Sequence, residues 1–140
     1  MGMDVYGNNP TTKAGAYFRN NVHYWGALVD YLLACGPVEI VGKCRYWNSN
    51  DGDGLPAKEA AELGAFLRNE IKNGNCKKYA GERRESGVGK ASFDNHPLSK
   101  IFHSAGIKSV YIGDPNDDFS VDNVQAFAEF LEGCGGFQIF

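Results

Sequence analysis

The chain has 140 residues, among them 18 glycines and 18 aromatic residues, and its formal net charge is −3. This length suits one domain with one hydrophobic core, and 43% hydrophobic residues exclude an intrinsically disordered chain. No apolar run approaches the roughly 18 residues of a membrane span, and the first residues lack the pattern of a signal peptide. We therefore expect a single cytoplasmic domain, residues 1–140, with no membrane as partner.

The negative charge is concentrated at the C-terminal end. Residues 109–140 contain six acidic residues and no lysine or arginine, whereas residues 1–108 carry a formal charge of +3. A solvated helix face and loop are the simplest explanation of such an acidic end. Because the chain lacks the basic stripe of a nucleic-acid binder, we do not expect it to bind nucleic acid without regard to sequence.

The four cysteines do not have the spacing of a metal site. Cys35, Cys44, Cys76 and Cys134 include no Cys-x-x-Cys pair, and a zinc knuckle needs two ligands about two to four residues apart. Without a secretion signal, disulfides are not expected either. We predict free, mostly buried thiols.

In chain order, residues 1–15 are polar and glycine-rich, which predicts an irregular arm. Apolar residues then recur at helical spacing from Phe18 to Leu32, so we predict a helix from about Ala16 to Ala34 that Gly36-Pro37 ends. The polar side of this helix carries Arg19, Asn20, His23 and Asp30. His23 is a candidate base and Arg19 a candidate anion-binding group, although a helix contact is the commoner role for such a histidine.

The middle of the chain contains its most unusual stretch. After a short predicted strand, Val38 to Val41, comes the stretch 45–55, in which two aspartates alternate with two glycines at positions 51–54, and this predicts a tight loop. Within it, Cys44 stands next to the acidic segment as a candidate nucleophile. A helix is then predicted from Pro56 to about Asn73, with Asp53 or a neighbour as its cap.

This loop is rich in side-chain oxygens. Its carboxylate and amide residues are Asn48, Asn50, Asp51 and Asp53. Such oxygens suit a hard divalent cation, but the EF-hand register fails because Asp53 stands where the sharp turn requires glycine. Three interpretations stay open: a cation site of another geometry at Asp51 and Asp53, carboxylates that cap their own turn, or a contact to a polar ligand.

Residues 75–96 contain many basic residues and few apolar ones, which predicts a mobile loop. Arg83 and Arg84 in this segment are candidate contacts to a charged partner. A short helix is predicted for residues 97–104 and a strand for residues 107–112, because the latter segment is rich in β-branched residues.

The C-terminal segment has the clearest local signals. Ser120 is a good N-cap for a last helix that ends at Gly133, and Phe119 can pack on Val124 as a hydrophobic staple. Residues 137–140 then alternate as in a strand. Together the elements predict an α+β fold, mainly helical, with three main helices around one core and a small sheet built from the two predicted C-terminal strands.

Four strings, in this order, resemble a set of small uncharacterised proteins of bacteria and their phages. They are MGMDVYG (1–7), YFRNNV (17–22), NDGDGL (50–55) and the FL, GGF and I pattern within residues 127–139. The strings span most of the chain, although more tryptophan follows the Asn-Asn-Val in that set than here. The resemblance implies a phage or mobile-element accessory protein in the cytoplasm of a bacterial host, and it implies no activity.

Two main hypotheses of function follow. The first is a non-catalytic binding protein without a cofactor, which inhibits a host protein, for instance a defence protein, or sequesters a small ligand. Its candidate contact residues are Arg19, Asn20, His23, Arg45, Asn50, Asp51, Asp53, Arg83 and Arg84. The alternative is a small metal-dependent hydrolase in which Asp51 and Asp53, with Asp4, hold Mg²⁺ or Mn²⁺. A structural component of a larger assembly is a third possibility.

Overall fold

A computed structural model describes residues 2–86 and 119–140, with the backbone alone for residues 84–86. In these ranges, five helices and a four-stranded antiparallel sheet confirm the predicted α+β class. The elements in chain order are β1 (Gly2–Gly7), β2 (Tyr17–Asn21), α1 (Val22–Cys35), α2 (Val38–Val41), β3 (Gly54–Leu55), α3 (Ala57–Lys72), α4 (Asn75–Ser86), α5 (Val121–Gly133) and β4 (Phe137–Ile139). None of the described helices is both long and apolar enough to cross a lipid bilayer.

The sheet has one face against the helices and one outer face. Its strand order is β2-β1-β4-β3, so β1 and β4 are central. The register aligns Val5 of β1 with Phe18 of β2 and with Ile139 of β4, and all three contribute to the hydrophobic core. Because side chains alternate along a strand, the neighbours of these three residues within each strand point to the outer face.

The two N-terminal strands replace an expected arm and the expected start of a helix. Residues 2–7 form β1, so the prediction of an irregular arm is wrong there. Residues 17–21 form β2, and α1 begins only at Val22, with Asn21 as an N-cap whose side chain accepts the Tyr24 N–H. The helical interpretation failed because Phe18 fits both periods: it lies four residues before Val22 and also faces the core from a strand.

Residues 38–41 form the short helix α2, so the predicted strand is wrong. Pro37 starts the turn, since its carbonyl accepts the Val41 N–H at 2.9 Å, and the Val38 carbonyl accepts the Gly42 N–H at 2.9 Å. These local bonds prevail over the strand preference of the β-branched residues.

Helix α4 occupies the first part of residues 75–96, where the sequence predicts a mobile loop, so that prediction is wrong for residues 75–86. Cys76 and Ala80 are buried and Tyr79 packs against the core. These three positions form a single narrow stripe on a helix whose other residues are mostly charged or polar, which is why composition alone indicates a loop.

Several predicted elements lie outside the described residues. These are the remainder of the basic segment (87–96), the short helix at 97–104 and the strand at 107–112. The C-terminal strand is confirmed as β4, and within the described ranges its neighbours are β1 and β3. The three main helices are confirmed as α1, α3 and α5, with α4 in addition.

The sequence predicts the N-cap of α5 correctly but not the role of Asp53 at the start of α3. Ser120 is the N-cap of α5, and its hydroxyl accepts the Asn123 N–H at 3.1 Å, as predicted. The N-cap of α3 is Pro56, which makes no side-chain capping bond, so Asp53 is not the cap. This leaves the carboxylate of Asp53 available for its own loop.

Two tryptophans tie the segment after α2 to the core. The Trp25 indole N–H donates to the Trp47 carbonyl at 2.6 Å, and the Trp47 indole N–H donates to the Val41 carbonyl at 3.1 Å. Both side chains are buried, and the Trp25 ring packs edge-on against Phe127. The chain around Trp47 is therefore held by packing and by satisfied hydrogen bonds.

The cysteines are free thiols, as predicted. Cys44, Cys76 and Cys134 are buried, whereas Cys35 at the end of α1 is exposed.

Candidate functional site

Asp53 closes the loop between α2 and β3. Its Oδ2 accepts the backbone N–H groups of Arg45 (2.8 Å) and Tyr46 (2.9 Å), and its Oδ1 accepts that of Gly54 (2.8 Å). Burial opposes the ionisation of Asp53, but the three N–H groups outweigh it and keep the pKa of this carboxyl below its usual value. Of the interpretations left open, capping of its own turn is the one that the geometry supports.

The two glycines of this loop have architectural roles. Gly52 adopts a left-handed φ of 92° and donates its N–H to the Ile139 carbonyl at 2.8 Å. At Gly54 an added Cβ would lie 1.8 Å from the Phe137 carbonyl oxygen. Glycine is required there because the two backbones approach closely where β3 pairs with β4.

The carboxylates of the hydrolase hypothesis do not form one cluster. Asp51 accepts the Ser49 hydroxyl at 2.6 Å, Asp53 binds its own loop, and Asp4 pairs with Arg19 across the sheet. Within residues 2–86 and 119–140, no three His, Cys, Asp or Glu side chains are grouped so that they could hold a metal ion. Asn50 is exposed in the same loop.

The predicted polar face of the first helix is divided between two sides of the sheet. Arg19 lies on the outer face, whereas Asn20 exchanges two hydrogen bonds of 2.9 Å with Asn123 of α5. His23 is exposed in the first turn of α1. The expected pairing of His23 with Arg19 on one helical turn is wrong because Arg19 belongs to a strand.

The basic segment 75–96 offers fewer exposed basic groups for a partner than its composition suggests. The Arg83 guanidinium donates to Asp30 and to the Tyr79 hydroxyl, each at 3.1 Å, and its side chain is largely buried. Arg83 therefore has a structural role between α4 and α1. Arg84 lies in α4, and its side chain is outside the described part of the molecule.

The first of two exposed surfaces is a groove of about 640 Å³ between the end of α1, helix α2 and the segment 44–49; we call it the α1–α2 groove. Its floor is apolar and buried. Its rim exposes Leu33, Val38 and Tyr46 to 61%, 79% and 62%. No local motif marks these residues in the sequence, because the groove forms only when the three segments meet.

The charge of the groove comes from one residue. Among the described residues that line it, Arg45 alone is charged, and its guanidinium forms no ion pair in the described part of the chain. Cys44 lies in the floor, where burial and the Asp53 carboxylate raise the pKa of its thiol to about 12. That thiol is neutral at physiological pH, so it lacks the activation of a nucleophile.

The second surface is the outer sheet face, which we define by Asp4, Tyr6, Tyr17, Arg19, Gln138 and Phe140. Arg19 Nη1 lies 2.6 Å from Asp4 Oδ1, and the Tyr17 hydroxyl donates to the same oxygen. The hydrogen bond from Tyr17, followed by that from Arg19, lowers the pKa of Asp4 below its usual value. The three polar groups thus form one ordered unit.

Comparisons of the chain with protein-family models, with curated proteins and with solved structures found no match. The resemblance to small bacterial and phage proteins therefore stays a prediction.

Proposed function

We propose that this chain is a non-catalytic binding protein whose α1–α2 groove receives an apolar segment of a protein partner. The observation that carries the proposal is the groove itself, with a buried apolar floor and a rim of three large exposed apolar side chains. Contiguous exposed apolar surface of this kind is typical of interaction sites.

A protein segment fits this groove better than a small molecule. The volume alone would suit either, since small-molecule sites measure roughly 300–1,000 Å³. However, Leu33, Val38 and Tyr46 remain more than half exposed, so the rim does not enclose a ligand. An amphipathic helix laid along the groove would cover these side chains with its apolar stripe.

Arg45 defines the charge of the partner. Its guanidinium has no ion pair among the described residues and lies beside an apolar surface, which favours a carboxylate that can form charge-assisted hydrogen bonds with it. We therefore expect the bound segment to carry an aspartate or glutamate next to its apolar anchors.

The hydrolase alternative has no comparable observation in its favour, since Asp53 binds backbone groups. We further propose that the partner is a protein of the bacterial host of a phage or mobile element. This part of the proposal is supported by the sequence resemblance alone.

The proposal can be tested by selecting a displayed library of random peptides on the full chain. Val38→Glu places an unpaired charge in the groove, and Val22→Glu is its matched control. Both valines are exposed at the first position of a helix. We expect enriched peptides with apolar anchors and an acidic residue, which lose at least about tenfold in affinity for Val38→Glu and bind Val22→Glu normally.

A charge reversal gives a second readout. With Arg45→Glu as the target, the selected acidic residue should be replaced by lysine or arginine. Failure to enrich any peptide that distinguishes Val38→Glu from Val22→Glu would contradict the proposal.

A further inference from the structure

The outer sheet face is a second apolar surface. The described helices pack on the opposite side of the sheet, and Tyr6, Tyr17 and Phe140 are exposed to 46%, 44% and 51%. They lie on three neighbouring strands or their ends, with Tyr6 in the middle. Its ring centroid is 5.1 Å from that of Tyr17 and 6.0 Å from that of Phe140.

These rings form a corrugated surface. The Tyr6 ring is inclined by 54° to Tyr17 and by 60° to Phe140. Inclined rings offer both faces and edges, which suits edge-to-face contacts with other aromatic side chains. They do not offer the level platform on which bases of single-stranded nucleic acid stack.

The charges of this face are balanced and only partly satisfied. Both donors to Asp4, the Tyr17 hydroxyl and Arg19 Nη1, reach the same oxygen, Oδ1. Among the described residues, no hydrogen bond reaches Oδ2 of Asp4. The Arg19 guanidinium also interacts with the Tyr17 hydroxyl, and because a guanidinium has five N–H donors, donors remain for a partner. The face thus still offers one acceptor and several donors side by side, with no net charge to attract a polyanion.

We propose that two copies of this chain pack through their outer sheet faces about a two-fold axis. A two-fold interface brings the same patch of both copies together, so the patch must complement itself. Here the open N–H groups of Arg19 in one copy would meet the open Oδ2 of Asp4 in the other, and reciprocally. The inclined rings would interdigitate between these two ion pairs.

The size of the face indicates the strength of the dimer. Four strands spaced about 4.8 Å apart, the longest with six residues of about 3.3 Å each, cover roughly 400 Å², which is less than the roughly 800 Å² that each partner of a standard interface buries. We therefore expect a dimer with a dissociation constant in the micromolar range.

Sedimentation equilibrium of the full chain at increasing concentration tests the dimer, and charge reversals test where it forms. Arg19→Asp makes the face doubly negative, and Asp4→Arg makes it doubly positive. Each variant alone should dimerise at least about tenfold more weakly. Lys58→Asp, at an exposed site on α3, is the control that should leave the dimer intact.

A mixture of the two variants decides the case. Arg19→Asp and Asp4→Arg, combined in equal amounts, should form a heterodimer at concentrations at which each variant alone is mostly monomeric. Circular dichroism of each variant establishes that it is folded. A wild-type chain that stays monomeric at every concentration would overturn the proposal, as would a dimer that persists in both variants. Tyr6-dependent binding of a labelled oligonucleotide by monomeric wild-type chain would assign the face to nucleic acid instead.

Discussion

The α1–α2 groove and the outer sheet face each expose three large apolar side chains but differ in charge. The groove contains one guanidinium, that of Arg45, without an ion pair in the described chain, whereas on the sheet face Arg19 is matched by Asp4. An unmatched charge requires a different surface as its complement, while a matched pair can complement a second copy of itself. The charge pattern therefore distinguishes the two surfaces where apolar exposure does not.

The two surfaces are connected through one loop. Asp53 holds the backbone of Arg45 and Tyr46, which line the groove. The same loop accompanies β4: Gly52 donates to Ile139, and a Cβ at Gly52 would touch the Phe140 ring at 3.3 Å. Substitutions in this loop can therefore test whether the groove and the outer sheet face depend on the same contacts.

The largest effect is expected for Gly54→Ala, which should damage both surfaces. An added Cβ 1.8 Å from the Phe137 carbonyl oxygen forces β3 away from β4, at a cost of about 3 kcal/mol in the free energy of unfolding. Urea denaturation measures this loss. Gly26→Ala in α1 is the control, because no atom lies within 4 Å of its added Cβ. It should stabilise the chain by about 0.5–1 kcal/mol. Equal stabilities of the two variants would show that β3 and β4 are not in close contact.

A smaller effect, confined to the groove, is expected for Asp53→Ala. It removes the acceptor for three backbone N–H groups in a loop that water can reach, so we expect a loss of about 1–2 kcal/mol. Asp51→Ala, which removes one exposed contact to Ser49, should change stability by less than about 0.5 kcal/mol.

The same pair of variants separates the surfaces. Asp53→Ala should weaken peptide binding in the groove and leave dimerisation through the sheet face unchanged, as measured by sedimentation equilibrium. If Asp53→Ala also abolished the dimer, the two surfaces would not be independent.

What could be predicted from the sequence depends on how local each interaction is. The cap at Ser120 and the strand after the Gly135-Gly136 turn are specified by neighbouring residues, and both are confirmed. The strand β1 depends on partners 11–19 residues away in β2 and 130–134 residues away in β4. The period-two alternation of Met3 and Val5 is too short a signal to reveal them. Strand pairing also places the side chains of Arg19 and Asn20 on opposite faces of the sheet.

The candidate sites show the same limit. Asp53 and the two loop glycines are unusual in the sequence, and capping of its own turn by Asp53 is among the interpretations left open there. The roles of Gly52 and Gly54, however, depend on the position of β4. The groove residues Leu33 and Val38 have no sequence signal, because exposure of an apolar side chain depends on what the rest of the fold leaves uncovered.

The smallest effect concerns acid, and it compares Asp53, which holds the loop beside the groove, with Asp4 on the outer sheet face. The folded state lowers the pKa of both Asp53 and Asp4, so the unfolded chain, with an ordinary aspartate pKa of about 3.9, binds protons first as the pH falls. The stabilisation by these groups is complete above that pKa and is lost as the pH drops through the lower folded value.

Denaturation of the monomer at pH 7 and at about pH 3 measures the loss. Asp53→Asn and Asp4→Asn should each reduce this acid sensitivity. Only Asp4→Asn should also weaken dimerisation, because it removes the carboxylate of the proposed ion pair between copies. If both variants kept the wild-type acid sensitivity, folding would not lower the pKa of either carboxylate.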